Sequence, residues 1–192
     1  KSMQTVFYEI LTTLVKLLTP ILPHTTEEVW EYMDEPEAFV QLTEIPEPQS
    51  FADEAALLSR WEAFMELRSH VLKALEESRN AKLIGKSLEA SVVYYLTPSQ
   101  LELVNSLDAD AALLFGVSKL TLAAADEAPA ELERFSDQSA VAVAAAPGEV
   151  CDRCRMTKED VGSDAAYPTL CARCAHVVRE NFPATVTEGL EK

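Results

Sequence analysis

Nowhere in the 192 residues do eighteen apolar residues run together, and no basic-then-apolar leader opens the sequence, so neither a membrane-spanning helix nor a secretory signal is expected. Positive charge is scarce as well: 16 Lys and Arg stand against 32 Asp and Glu, a formal net charge of −16. Nucleic acid is at first sight a poor partner for such a chain, because phosphate binding draws on Lys and Arg to release counterions. A methionine start is also missing. Lys1 stands on what reads as the middle of a helical pattern, and a piece of a longer protein is expected. What is present is ordinary: 48% hydrophobic and 7% aromatic residues suit a globular protein of one or two domains with a sizeable core, which excludes disorder throughout. A cytoplasmic home is expected, and reduced cysteines go with it.

The cysteines are few and ordered. All four fall as two tight pairs, Cys151-Asp-Arg-Cys154 and Cys171-Ala-Arg-Cys174, with sixteen residues between them. Two residues between cysteines let one turn aim both sulfurs at a common point, and two such turns supply the corners of a tetrahedron. One Zn²⁺ per chain would use every cysteine present. Iron in a rubredoxin-like site is the rival, since four sulfurs suit either metal; rubredoxin-type turns usually carry Gly just after the second cysteine, where Arg155 and Ala175 stand here. Two disulfides, or four unrelated buried thiols, are the remaining readings.

The acidity is unevenly spread. Residues 1–59 carry −9 and residues 90–150 carry −7, whereas residues 60–89 carry +1 and residues 151–182 are neutral. Arg79, Lys82 and Lys86 form a cationic run with no acid between Glu77 and Glu89, and a polyanion would land there and on the cysteine module. For Arg60, Arg68 and Lys73, by contrast, Glu62, Glu66, Glu76 and Glu77 are expected as intrahelical partners.

Periodicity predicts an amphipathic helix over residues 2–18, with Val6, Phe7, Ile10, Leu11, Leu14, Val15 and Leu18 on one face and Ser2 as N-cap. A second helix is expected after Pro23, opened by a Thr25…Glu28 capping box and turning Val29, Trp30 and Met33 inward. A loop with Pro36, Pro46 and Pro48 leads to a long helix from about Asp53 to Asn80, whose stripe includes Leu57, Leu58, Trp61, Phe64, Met65, Val71 and Leu75. Trp30 and Trp61 are expected in the core. Past Gly85 the period turns extended: strands are predicted at 91–96, 117–122 and 140–145, with short helices at 99–107 and 110–115 between the first two. Pro147-Gly148 turns into the first cysteine pair, and a helix over 175–181 ends at Pro183. The expected class is mainly α with a smaller α+β part: a helical bundle over 1–85, an α+β junction over 86–146 and a zinc module over 147–192.

Three of these segments carry a resemblance. Leu18-Thr-Pro-Ile-Leu-Pro-His-Thr-Thr-Glu-Glu-Val-Trp30 resembles the helix–turn–helix signature of the anticodon-binding domain in the class I aminoacyl-tRNA synthetases for isoleucine, valine, leucine and methionine. Arg79-Asn-Ala-Lys-Leu-Ile-Gly-Lys-Ser-Leu-Glu-Ala90 resembles the junction that follows it in the isoleucine and valine enzymes, and a four-cysteine module after that junction resembles the bacterial-type isoleucyl-tRNA synthetases. The resemblance implies the C-terminal region of such an enzyme, gripping the anticodon stem-loop of isoleucine tRNA as a monomer. Arg79, Lys82, Lys86, Arg153, Arg155 and Arg173 would be the RNA contacts, and Cys151, Cys154, Cys171 and Cys174 the zinc ligands. No catalytic residue is expected, because the His-x-Gly-His and Lys-Met-Ser-Lys-Ser motifs that handle ATP do not occur. ATP would be used only by upstream domains. The family often places Trp where Arg155 stands, and a guanidinium can also stack on a base.

The other readings are plainer. Gly85-Lys86-Ser87 imitates the tail of a phosphate-binding loop, but Asn80 occupies the position of its first glycine and a helix precedes it where a strand is needed. His24 is expected to serve a turn and His176 a helix surface. Arg153 and Arg173 are placed both to offset the −2 charge of a Zn²⁺ with four thiolates and to meet RNA. The alternative function is a zinc-stapled protein-interaction module whose acidic surface repels nucleic acid.

Overall fold

The computed structural model describes residues 2–33, 37–107 and 109–182. The chain divides into two units, with the boundary in sequence between Glu54 and Ala55.

The first unit holds helix α1 (Ser2–Leu18), helix α2 (Pro23–Glu31) and a 3₁₀ turn at Val40–Leu42. Val15, Trp30 and Val40 form its small core, flanked by Val29 and Met33. The Trp30 indole N–H donates to the Glu37 carbonyl at 2.8 Å, which satisfies the one polar group of the buried ring. The predicted stripe of α1 exists, yet of its residues only Val15 is buried, while Val6, Phe7, Ile10, Leu11, Leu14 and Leu18 are exposed. The Thr25…Glu28 capping box does not form. Proline's fixed φ suits a first helical turn, so α2 opens at Pro23 with Leu22 as an N-cap that lends no side-chain bond. Thr25 then lies inside the helix, and the buried Thr26 hydroxyl bonds back to the Leu22 carbonyl at 3.0 Å.

The second unit is α+β. Helix α3 (Glu54–Asn80) leads through a 3₁₀ turn at Ser87–Glu89 into strand β1 (Ala90–Leu96). Helices α4 (Pro98–Asn105) and α5 (Ala111–Phe115) carry the chain across to β2 (Lys119–Ala124), and β3 (Ala140–Ala145) completes a sheet of order β2-β1-β3. β1 is central, parallel to β2 and antiparallel to β3. Its alternation buries Ala90, Val92, Tyr94 and Leu96, which join Phe64, Leu67, Val71 and Leu75 of α3 and Val104, Phe115 and Val117 in one core. The buried Tyr94 hydroxyl donates to the Leu67 carbonyl at 3.1 Å, and burial pushes its phenol well above the usual range. β2 starts two residues later than its pattern predicts because the Val117 amide closes α5 on the Ala112 carbonyl.

Two expectations for α3 are corrected. Burial on this helix begins only at Phe64; residues 54–63 are exposed, and Trp61 rests its edge on Phe64 (5.5 Å, 89°) rather than lying in the core. Among the described residues Arg68 pairs with no glutamate. It is half-buried, and its Nε donates to the Leu114 carbonyl at 3.1 Å, an orphan acceptor at the end of α5. Lys73 does pair with Glu77, at 3.8 Å.

Strands β4 (Glu149–Val150) and β5 (Thr157–Lys158) form a two-stranded ribbon around the first cysteine pair, and α6 (Ala172–Asn181) follows the second. Gly148 turns into β4 at φ 105°, and a Cβ there would stand 2.3 Å from the Lys158 carbonyl oxygen, so only glycine fits. The predicted stop at Pro183 lies outside the described residues. No described helix is long and apolar enough to cross a membrane.

Candidate metal centre and nucleic-acid interface

The first cysteine turn is set by backbone bonds. Cys151 N–H donates to Met156 O at 2.9 Å and Arg155 N–H to Cys151 O at 2.8 Å, so the chain doubles back within six residues. Arg155 closes the turn at φ 62°, the left-handed conformation that glycine adopts without cost. In the second pair Cys171 is the N-cap of α6, which places Cys174 one turn on along the helix. The Cys171 amide donates to Cys151 Sγ at 3.3 Å and joins the two turns.

Four sulfurs therefore converge. Those of Cys151, Cys154, Cys171 and Cys174 all lie within 4.8 Å of one another, and Cys154 to Cys171 is 3.9 Å. A tetrahedron with metal–sulfur bonds of about 2.3 Å has edges of about 3.8 Å, so the cluster fits one tetrahedral ion. The thiols are unequal without it. Burial works to raise Cys151, but N–H groups of Cys154, Cys171 and Arg153 aimed at its sulfur outweigh that and lower it. Burial together with the neighbouring sulfurs raises Cys171. A dication removes the conflict by holding all four as thiolates, with release of protons.

Both pair arginines turn toward the sulfurs. Arg153 Nη1 lies 3.6 Å from Cys174 Sγ, across the site from its own pair. Burial alone would lower Arg173, but Cys154 and Cys174 beside it outweigh that and hold its guanidinium above the ordinary value. Each arginine thus braces the opposite pair against the −2 charge of an occupied site. His176 is exposed and stands outside the cluster; His24 is exposed on the first turn of α2.

The cationic run lies where α3 ends. Leu83 N–H donates to Ser78 O and Lys82 N–H to Arg79 O, a Schellman-type close in which Lys82 holds the left-handed position at φ 58°. The three cations differ. Arg79 is half-buried, pairs with Glu76 and reaches Ser87 Oγ at 3.4 Å, so its charge has a local partner that the spacing of the run does not suggest. Lys82 and Lys86 are exposed, and no acid pairs with either among the described residues. Arg155 is also exposed, in a loose 3.5 Å pair with Asp152. Described non-glycine residues with positive φ are Lys82, Gln138 and Arg155, two of which belong to the predicted RNA-contact set.

Ser118 is a residue that sequence reasoning missed. It is buried in the seam between sheet and metal module, and no motif marks it.

Comparison with known families agrees with this layout. Residues 1–94 match the anticodon-binding domain of tRNA ligase, and residues 148–177 match the zinc finger found in FPG and IleRS. The isoleucine–tRNA ligase of Limosilactobacillus fermentum is 72% identical over all 192 residues, that of Limosilactobacillus reuteri 68%, and that of Enterococcus faecalis 51% over 191 residues. The chain belongs to the isoleucyl-tRNA synthetase family. It is covered completely in each match and spans about a fifth of the length of these relatives (21%, 21% and 20%). Within the family it carries the anticodon-binding domain and the zinc finger, and the four-sulfur cluster falls inside the zinc-finger match. The alternative reading, a protein-interaction module that repels nucleic acid, finds no support in these matches.

Proposed function

We propose that this chain is the tRNA-gripping region of an isoleucine–tRNA ligase, orienting the anticodon stem-loop of isoleucine tRNA while upstream domains use ATP to couple isoleucine to it. The carrying observation is that the exposed cations Lys82 and Lys86 pair with no acid among the described residues of a chain of net charge −16, within a region that matches the anticodon-binding domain. In this reading residues 1–85 belong to a helical bundle, which accounts for the uncovered apolar face of α1. Residues 86–146 are the junction and 147–192 the zinc module. One Zn²⁺ is held by Cys151, Cys154, Cys171 and Cys174 and supplies structure, not chemistry. The region contributes binding energy and orientation; the enzyme is a cytoplasmic monomer.

Arg79, Lys82, Lys86 and Arg155 serve as RNA contacts, with Arg153 and Arg173 adding to them while they neutralise the sulfurs. Backbone strain supports two of these assignments. A non-glycine residue in the left-handed region costs roughly 1–2 kcal/mol, and strain of this kind collects at binding sites. Arg155→Gly is therefore expected to raise the thermal stability of the module while increasing KM for tRNA several-fold. Arg155 serves only the turn if the glycine variant gains stability and charges tRNA with unchanged KM.

The reading as a whole is tested by filter binding of isoleucine tRNA to the intact synthetase across a salt series. Affinity falling linearly with salt on logarithmic axes is expected of a phosphate-contacting face. Salt-insensitive binding would rule the face out.

A further inference from the structure

The covalent link between sheet and metal module is short and single: β3 ends at Ala145, and Pro147-Gly148 passes directly into β4. Beside it runs the seam between the two. It holds an open cleft of about 310 Å³ lined by Ser118, Lys119, Pro147, Thr157, Lys158 and Asp160. A connection of this kind does not by itself fix the orientation of the module.

Hydrogen bonds do. Ser118 bonds to both sides of the seam: its hydroxyl donates to the Leu88 carbonyl just before β1, while its Oγ accepts from Thr157 N–H at 2.8 Å and its carbonyl accepts from Lys158 Nζ at 2.8 Å. Its own amide donates to Ala90 O at 3.1 Å. The Thr157 hydroxyl also donates to the Leu88 carbonyl, at 3.3 Å. Leu88 is thus an acceptor shared by Ser118, the residue before β2, and the metal module. It lies two residues after Lys86, in a loop folded around Glu89, whose carboxylate takes the amides of Gly85 (2.9 Å) and Lys86 (3.1 Å) and whose carbonyl takes Ala146 N–H at 2.7 Å.

We propose that Ser118 is a positioning residue for tRNA: with Thr157 and the Leu88 carbonyl it locks the Lys86 loop and the Arg155-bearing metal module into one rigid arrangement, so that both cationic surfaces engage a single RNA backbone together. This rests on the tRNA-binding reading above. Two weakly binding surfaces held in the right geometry bind as one, because the second engages at high effective concentration; freeing one of them forfeits that advantage even though every RNA-touching side chain is still present.

The test uses the intact synthetase. Ser118→Ala removes the donor to Leu88 and the acceptor of the Thr157 amide, and Thr157→Val removes one hydroxyl at nearly constant volume, whereas Thr157→Ser keeps it. Ser118→Ala and Thr157→Val are expected to raise KM for isoleucine tRNA on the order of five- to tenfold with kcat within about twofold. Faster deuterium exchange at the Thr157 amide in Ser118→Ala should accompany this, and Thr157→Ser should stay near wild type. Zinc content is measured for each variant, and if Ser118→Ala loses metal the Thr157 pair decides. Unchanged KM in Thr157→Val, or an equal rise in Thr157→Ser, overturns the proposal. Replacing Arg79, Lys82 and Lys86 by Ala in the same assay separates the two levels: a raised KM there, with none in the seam variants, overturns the lock alone, and no effect in either overturns tRNA binding at this face.

Discussion

Cys171→Ser should leave the protein without zinc and unfold the module while the helices of the rest of the chain keep their far-ultraviolet signal. Between residues 148 and 182 the buried side chains are Cys151, Met156, Thr157, Cys171, Cys174 and Ala175, and only Cys154, Val161 and Leu170 pack against the cysteines as partly buried neighbours. Half of that buried set is the metal site itself, so little core remains once a ligand is removed. Zinc binding supplies roughly 10–16 kcal/mol in small zinc modules, more than such a core could replace. Cys171 is also the N-cap of α6 and the donor that joins the two turns, and serine, a poor fourth ligand for this ion, keeps only the backbone part of that role. The measurements are metal content by elemental analysis, expected to fall from one zinc per chain to none, and protease resistance of the module. A variant that retains stoichiometric zinc, or whose helical signal collapses throughout, contradicts the expectation.

The second large effect is expected from Arg79→Ala, Lys82→Ala and Lys86→Ala combined in the intact synthetase. Each phosphate left without its cation flattens the logarithmic salt slope of tRNA binding by somewhat under about one unit. Arg79 already pairs with Glu76, so its share of the effect should be smaller than that of Lys82 or Lys86. Removing Lys82 also relieves little strain, since alanine in the left-handed region suffers as lysine does. The weaker binding is therefore attributable to charge. Equal charging by wild type and variant at limiting tRNA would make the run an ordinary solvated face.

Much of this was legible in the sequence because it depends on local spacing. The cysteine pairs announce their turns without help from the rest of the chain, and α1, α3 and β3 appear at or within a residue of their predicted bounds. Most of what escaped reading depends on partners distant in sequence. The intrahelical acids near Arg68 offer an adequate pairing on paper, but the carbonyl of Leu114, forty-six positions on, is what the fold brings to it. Trp61 continues an apolar stripe that burial abandons before Phe64. At α2 two local signals competed, and Pro23 displaced the capping box because it pre-sets the backbone two residues earlier. Ser118 was invisible for a different reason: a serine is an unremarkable letter, and its role follows from Leu88 and Thr157, thirty and thirty-nine residues away on either side.

The central place of β1 in the sheet bears on how the protein is made. Its parallel partner begins at Lys119 and its antiparallel partner at Ala140, so both edges of a Val- and Tyr-rich strand stand open while the intervening chain is still being translated. At about 5–20 residues per second the second edge waits on the order of several seconds after β1 leaves the ribosome. During that interval an uncovered strand is a template for pairing with another nascent chain. The strand order thus opens a route to misassembly between neighbouring chains on a polysome, which closes once β3 has paired.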